Sequence, residues 1–298
     1  LSGHIRVGYN DRPELIDEFS DYARQARGTG LELEVLHGKE LHDRFPFLGA
    51  EILVGSYSAE DGHSNPRQVA PAFARAAKSN GAHIAENTRV VEASKQGAEF
   101  FVEADNGDRY LAPSLVVAAG AWSSELAAAF GEPVTIVGRG PTMLVTEPAP
   151  YVIRPSVGVV TPVEKESVYF RQIPRGNIIV GGSTRGSANV ETCRANVNPK
   201  YTLSQLRQLH RLVPVLGQLN VIRVWTGVEG YTADNLPVIG PSSRVDGLFY
   251  AFGFSGGGHQ LGPGVGDVLA EVIDTGITST PIGEFGIGRF QNQPLIGN

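Results

Sequence analysis

The chain has 298 residues, a formal net charge of -6, 41% hydrophobic residues and 19% charged residues. This composition can bury a core and excludes wholesale disorder, and no dense Lys/Arg cluster marks a nucleic-acid footprint. The single cysteine, Cys193, excludes a disulfide framework and a multi-cysteine zinc site; it fits a reducing compartment, and a cytoplasmic location is expected.

In chain order, a strand is predicted over residues 3–9. A helix over 13–26 follows, with Leu15, Ile16, Phe19, Tyr22 and Ala23 at helical spacing. A short helix is expected over 38–45. Asn65-Pro66 opens a helix over 67–79 with Val69, Ala70, Phe73, Ala76 and Ala77 on one face. A strand over 82–85 comes next. Residues 88–94 and 98–104 alternate, with a turn at Asp105-Asn106-Gly107-Asp108. Residues 115–119 form a continuous apolar strand, ended by Gly120 and followed by a helix over 125–130. Strands over 134–137, 142–146, 157–161, 167–173 and 177–181 precede a helix over 202–212. Strands return in 221–252, a helix is predicted over 265–275, and an irregular tail covers 276–298. Strand-rich material therefore lies between two α/β pieces. Two domains from a discontinuous chain are expected, with a site at their junction.

Three stretches carry the chemistry. After the strand 115–119, Gly120 lets a ligand approach the backbone just before a helix N-terminus. An ordinary strand–turn–helix explains that stretch equally well. The run from Phe252 to Gly266 holds seven glycines in fifteen residues. Bare backbone there can contact a flat or anionic ligand, and a helix start follows. This run also reads Gly253-x-Ser255-x-Gly257, a nucleophile elbow, so a serine hydrolase using Ser255 is an alternative. That chemistry needs an acid and then a histidine after the serine, and the last histidine is His259. The third stretch runs from Arg223 to Pro241, and its Trp225 reads as a core residue. No G-x-G-x-x-G and no Walker A pattern occurs, and no His/Asp/Glu cluster has metal-ligand spacing, so no metal is expected.

The ordered set comprises Asp61-Gly62-x-x-Asn65-Pro66, Thr88-Arg-Val90-Val91, Ala118-Ala-Gly-Ala-Trp122-Ser and Tyr169-Phe-Arg171 before Gly181-Gly-Ser-Thr184. Trp225-x-Gly227, Pro237-x-x-Gly240-Pro241 and Gly253-Phe-Ser-Gly-x-Gly258 follow. Together these resemble the D-amino-acid-oxidase-like flavoproteins. That family includes glycine and sarcosine oxidases, D-amino-acid dehydrogenases, and the catalytic subunits of opine oxidase and hydrogen cyanide synthase. The stretch from Trp225 to Pro241 most resembles the opine-oxidase type.

The resemblance implies an α/β fold, with α+β character in the substrate domain. It comprises an incomplete Rossmann-like FAD-binding domain over 57–131 and 221–275, and an antiparallel-sheet substrate domain over 1–56 and 132–220. The family's first βαβ unit, with its glycine fingerprint, is absent from these residues, so the chain reads as the C-terminal part of a longer protein. Non-covalent FAD is implied, since Cys193 lies outside the flavin motifs. Val90 or Val91 would lie near the adenine, and Ala119, Gly120 and Trp122 would line the phosphates and ribose. Gly256, Gly257, Gly258, His259 and Gln260 would face the isoalloxazine ring. Tyr169, Arg171, Glu229 and Tyr231 are the implied catalytic-pocket residues. Glu229 stands where glycine oxidase carries an arginine, so Arg171 becomes the candidate cation for a substrate carboxylate. Gln260 stands at a lysine position, which argues against an oxygen-using oxidase and leaves a dehydrogenase that passes electrons to a partner as an option. The implied activity is oxidation of the C–N bond of a secondary amine or D-amino acid of the opine, sarcosine, glycine or hydroxyproline type. The implied partners are the small amine and electron-transfer subunits. A non-catalytic subunit of the same fold is the alternative.

Overall fold

The computed structural model describes residues 1–290. It divides into two compact units, each formed from separate chain segments. The first unit holds Leu1–Asn65, Gly140–Ser187 and Ala195–Gly227. Its sheet runs in the order Glu34–His37, Ile52–Ser58, His4–Tyr9, Ser156–Val159, Val168–Gln172, Asn177–Gly182, and then the strand Val137–Pro148 from residue 140 onward. Val221–Thr226 pairs with residues 142–146 of that last strand. Neighbours are antiparallel except His4–Tyr9 with Ser156–Val159.

Alternation decides which face of this sheet is buried. Ile5, Val7, Leu144, Val157, Phe170 and Val180 point to one side. There they form a core with Leu209 and Leu212 of the helix Pro199–Leu212 and Leu41 of the helix Gly38–Arg44. The helix Leu15–Arg27 packs Leu15 and Phe19 on Val54, at one end of the opposite face.

The second unit holds Pro66–Arg139, Ala188–Arg194 and Val228–Asn298. A three-stranded meander comprises Val90–Gln96, Glu99–Ala104 and Arg109–Ala112. A second small sheet orders Val238–Pro241, Leu248–Phe252 and Leu115–Val117, the last pair parallel. Phe100, Val117, Phe130, Tyr250 and Phe252 form the core of this unit.

The expected domain boundaries shift at several points. Residues 57–65 and 221–227 belong to the first unit, and 132–139 and 188–194 to the second. Hydrogen bonding gives the reason: the Asp61 carbonyl accepts from the Ser2 and Gly3 amides, and 221–226 pair within the large sheet. The tail is not separate either, because Ile287 and Phe290 join the second unit's core. Its residues 291–298 lie outside the described residues. The expected strand over 82–85 does not form. The segment is largely exposed, and a strand without a neighbour leaves its backbone groups unpaired.

Glu132 organises this unit, and no sequence signal marked it. Its side chain is buried, 2% exposed. It accepts from the hydroxyls of Ser242, Ser243 and Tyr250 and from the Ser243 amide. Burial pushes its carboxyl up, but these hydrogen bonds outweigh that and hold it below its ordinary value of 4.5. The stabilisation is therefore full above the ordinary value and lost as pH falls through the lowered one. Glu132→Ala is expected to lose about 3 kcal/mol at pH 7 in urea unfolding, since it strands several buried donors. The gap from the wild type should narrow in acid.

Candidate functional site

In the second unit the parallel strands Leu115–Val117 and Leu248–Phe252 run side by side, with Val117 opposite Tyr250. Their carboxyl ends therefore emerge together, the place where open α/β sheets hold ligands. The first strand turns at Gly120, with φ at 57°, into Gly120–Trp122 and the helix Ser123–Ala129. The second turns through Gly253, Ser255 and Gly256, all at positive φ, into the helix Gly258–Thr275. That helix starts seven residues before the expected position, which brings His259 and Gln260 into its first turn.

The strand Glu229–Tyr231 joins the two turns. The Gly230 carbonyl accepts from the Ser255 amide at 3.2 Å, and Tyr231 bridges to Phe254. On the other side, a Cβ at Gly230 would stand 2.8 Å from the Ala121 Cα. The tracts around Gly120 and Gly256 thus converge on main chain alone. At Gly120, Gly262, Gly264 and Gly266 the Cβ position meets nothing within 4 Å. Bare backbone beside the N-terminus of an 18-residue helix fits a dinucleotide with a flat ring and anionic phosphates. Gly257 caps this helix.

Trp122 is 45% exposed, and its indole N–H donates to the Val190 carbonyl at 2.8 Å. Val90 and Val91 lie exposed at the start of the meander. Tyr231 is buried at 7% exposure. Its hydroxyl donates to Glu229 at 2.9 Å, and the Arg139 guanidinium lies over its ring. Tyr231 therefore orients Glu229. The Ser255 hydroxyl donates to the Gly253 carbonyl at 3.2 Å, not to an imidazole, so the elbow lacks its general base.

In the first unit, the sheet face opposite the core mixes charged, aromatic and aliphatic side chains. Register sets Arg6 opposite Gly158 and Gly158 opposite Tyr169. The row continues from Tyr169 to Gly181, and Met143 pairs with Trp225. A Cβ at Gly181 would meet the Tyr169 ring at 2.4 Å and Met143 Sδ at 2.7 Å, so glycine there makes room for that ring. One step along the strands lie His4, Ser156 and Arg171. Trp225, expected in the core, is half-buried on this face, because Val224 takes the core side.

Arg171 is half-buried, and its Nε is buried without a hydrogen-bond partner. Burial lowers its pKa, with Tyr169 opposing, yet a guanidinium stays charged. His63 Nδ1 lies 3.2 Å from the Ser2 hydroxyl and 3.4 Å from that of Ser156. Burial first, then Arg171, lowers the pKa of His63, which keeps it neutral at pH 7. Gln172 fixes this strand: its Oε1 accepts from the Val152 and Ile153 amides, and its Nε2 donates to the Pro150 carbonyl. Tyr169 and Arg171 thus belong to the first unit, and Glu229 and Tyr231 to the second. Sequence reasoning passed over Arg6, Met143 and His63; alternation along residues 3–9 was the signal that could have found Arg6.

Residues 1–272 match the DAO family, described as FAD dependent oxidoreductase. The chain belongs to this family. It is 29% identical over 254 residues to sarcosine oxidase subunit beta of Rhodobacter capsulatus, covering 85% of this chain and 58% of that protein. It is 28% identical over 266 residues to glycine oxidase of Geobacillus kaustophilus, covering 88% of this chain and 67% of that one. Among solved structures, L-proline dehydrogenase from P. horikoshii matches with a TM-score of 0.87 at 24% identity, over 97% of this chain and 76% of that one. The family assignment agrees with the glycine-lined turns, which can accept a dinucleotide. Among the described residues, no helix is long and apolar enough to cross a membrane.

The junction at Gly230 can be tested directly. Gly230→Ala must separate the two turns and is expected to lose about 1–3 kcal/mol in denaturant unfolding. Gly262→Ala, where the Cβ meets open space inside a helix, should keep or raise stability by up to about 1 kcal/mol.

Proposed function

We propose that this chain provides the substrate face and part of the flavin site of an FAD-dependent oxidoreductase. Its reaction is oxidation of the C–N bond of an amine that carries a carboxylate: a secondary amine or an amino acid. Arg171 is the observation that carries this reading. A half-buried guanidinium without an ion pair, next to an aromatic ring on an open sheet face, is a ready carboxylate site.

Arg171 holds the carboxylate, and Tyr169 with Met143 walls the pocket. Neutral His63 leaves that charge undiluted. In the second unit, the turns at Ala119–Gly120 and Gly256–Gly258 would hold the FAD, and Val90, Val91 and Trp122 would serve its nucleotide end. Bound FAD supplies the two-electron acceptor. The N-terminus of the helix Gly258–Thr275 favours negative charge nearby. The substrate loses a hydride from the carbon beside its neutral amine, and the nitrogen lone pair forms the imine. Water then hydrolyses the imine to an amine and a carbonyl compound. Orientation of the C–H bond does most of the work, so no side-chain base is required.

Anaerobic mixing of the FAD-loaded protein with carboxylate-bearing amines tests the reading. Bleaching of the flavin absorbance is expected. A protein that takes up no FAD, or whose flavin no such amine reduces, overturns it. Arg171→Met is expected to raise KM about thirtyfold, the worth of a charge-assisted contact of ~2 kcal/mol. Its kcat should change far less, and Arg171→Lys should recover part of the loss.

A further inference from the structure

We infer that Met143 is a site of reversible oxidation, and that its sulfoxide captures the Tyr169 hydroxyl and so weakens the amine site. The inference rests on the amine-oxidising reading above and adds a control to that site. Met143 is the only methionine of the chain. It is half-buried on the open sheet face, while its neighbour Leu144 is spent on the core. Register sets Trp225 beside it. The Tyr169 hydroxyl donates to its Sδ at 3.5 Å. Sulfur and hydroxyl share the room that Gly181 leaves: a Cβ there would stand 2.7 Å from Sδ and 2.4 Å from the Tyr169 hydroxyl oxygen.

Hydrogen peroxide is the oxidant. A sulfur lone pair attacks one peroxide oxygen, and the S–O bond forms as the O–O bond breaks. The second oxygen leaves as hydroxide, takes the proton of the transferred oxygen and departs as water. Sulfur gives up two electrons, and the peroxide accepts them. The phenol occupies one of the two sulfur lone pairs, which leaves the other for the attack. Cys193, the other readily oxidised side chain, is exposed and belongs to the second unit, away from this contact in the fold of the first.

Oxidation reverses the strength of the contact. A thioether is a weak acceptor, so the phenol exchanges it readily for an oxygen of the substrate. A sulfoxide oxygen is polar and accepts strongly. The geometry favours capture. An S–O bond of about 1.5 Å and an O–H···O separation of about 2.7 Å close a triangle on the 3.5 Å side, with an angle of about 110° at the new oxygen. That angle suits a lone pair, and neither the ring nor the sulfur has to move. The hydroxyl is then held on the sheet, and the new oxygen fills the room over Gly181.

The test uses the FAD-loaded protein carrying Cys193→Ser as the parent, treated with hydrogen peroxide and mapped by peptide mass. One added oxygen on Met143 is expected, and methionine sulfoxide reductases should remove it. Calorimetric titration with N-methylglycine is expected to give a Kd about fivefold higher after oxidation, the worth of one neutral hydrogen bond. Adding Met143→Leu or Tyr169→Phe to the parent should hold the change on peroxide treatment to less than about twofold, each variant being compared with itself. Thermal melts read the captured hydroxyl without any amine: the gap in Tm between the parent and Tyr169→Phe should widen after oxidation. A folded protein whose Met143 stays unmodified, an unchanged gap, an unchanged Kd, or a Kd shift that Met143→Leu shares overturns the inference. If no amine binds or bleaches the flavin of the unoxidised protein, the amine reading falls, and the capture of Tyr169 still stands or falls on the melts.

Discussion

The close approach at Gly230 is the constraint on which the second unit depends. Its carbonyl takes the Ser255 amide, and its α-carbon faces the backbone of Ala121 at a distance no side chain permits. One residue without a Cβ thereby joins two glycine turns that are more than a hundred residues apart in the chain. The consequence is chemical as well as structural. Three segments of main chain present amides and carbonyls in one place, and a cofactor can be held there without side chains intervening. Glu132 acts behind this junction: by gathering the 242–243 turn and Tyr250, it fixes the strand that delivers Gly253.

The first unit solves a different problem with the period of two. A strand with one buried face must spend alternate residues on the core, so the remaining residues are free to carry chemistry. Phe170 is spent on the core, and this turns Tyr169 and Arg171 to the open face. The same rule turns Arg6 outward between Ile5 and Val7, and Trp225 outward beside Val224. Glycine at 158 and 181 then decides how much of that face is space and how much is side chain. The outward position of the arginines is therefore a by-product of packing.

Much of this was legible in the sequence wherever a local signal sufficed. The helical spacing of Leu15 and Phe19, the apolar run before Gly120, and the Gly-rich run after Phe252 each became the expected kind of element. Errors arose where tertiary partners decided. The helix after Gly257 extends through Gly262, Gly264 and Pro263, residues that argue against a helix locally; Leu269 and Val272, buried farther along, anchor it. Trp225 looked like core because a large apolar ring normally is, and only strand register reveals its side. Glu132 was invisible because its three hydroxyl donors come from far along the chain.

The segment 82–85 carries the same lesson to the level of the whole unit. It was expected as a strand but remains unpaired. Beside it in sequence, the helix Pro66–Ser79 has an apolar stripe yet buries no residue, and Phe73 is 57% exposed. The strand Leu115–Val117 is an edge strand, although a parallel strand is normally covered on both sides, and its Val116 is 40% exposed. These three features share one unit, and the chain spans 58% of the length of sarcosine oxidase subunit beta. Elements whose apolar faces find no cover gain little from burial, and most helical stability comes from packing. The first unit, with its large continuous core, does not share this weakness. It follows that the first unit is the more rigid of the two, and that the second depends on the Gly230 junction and the Glu132 network for its shape.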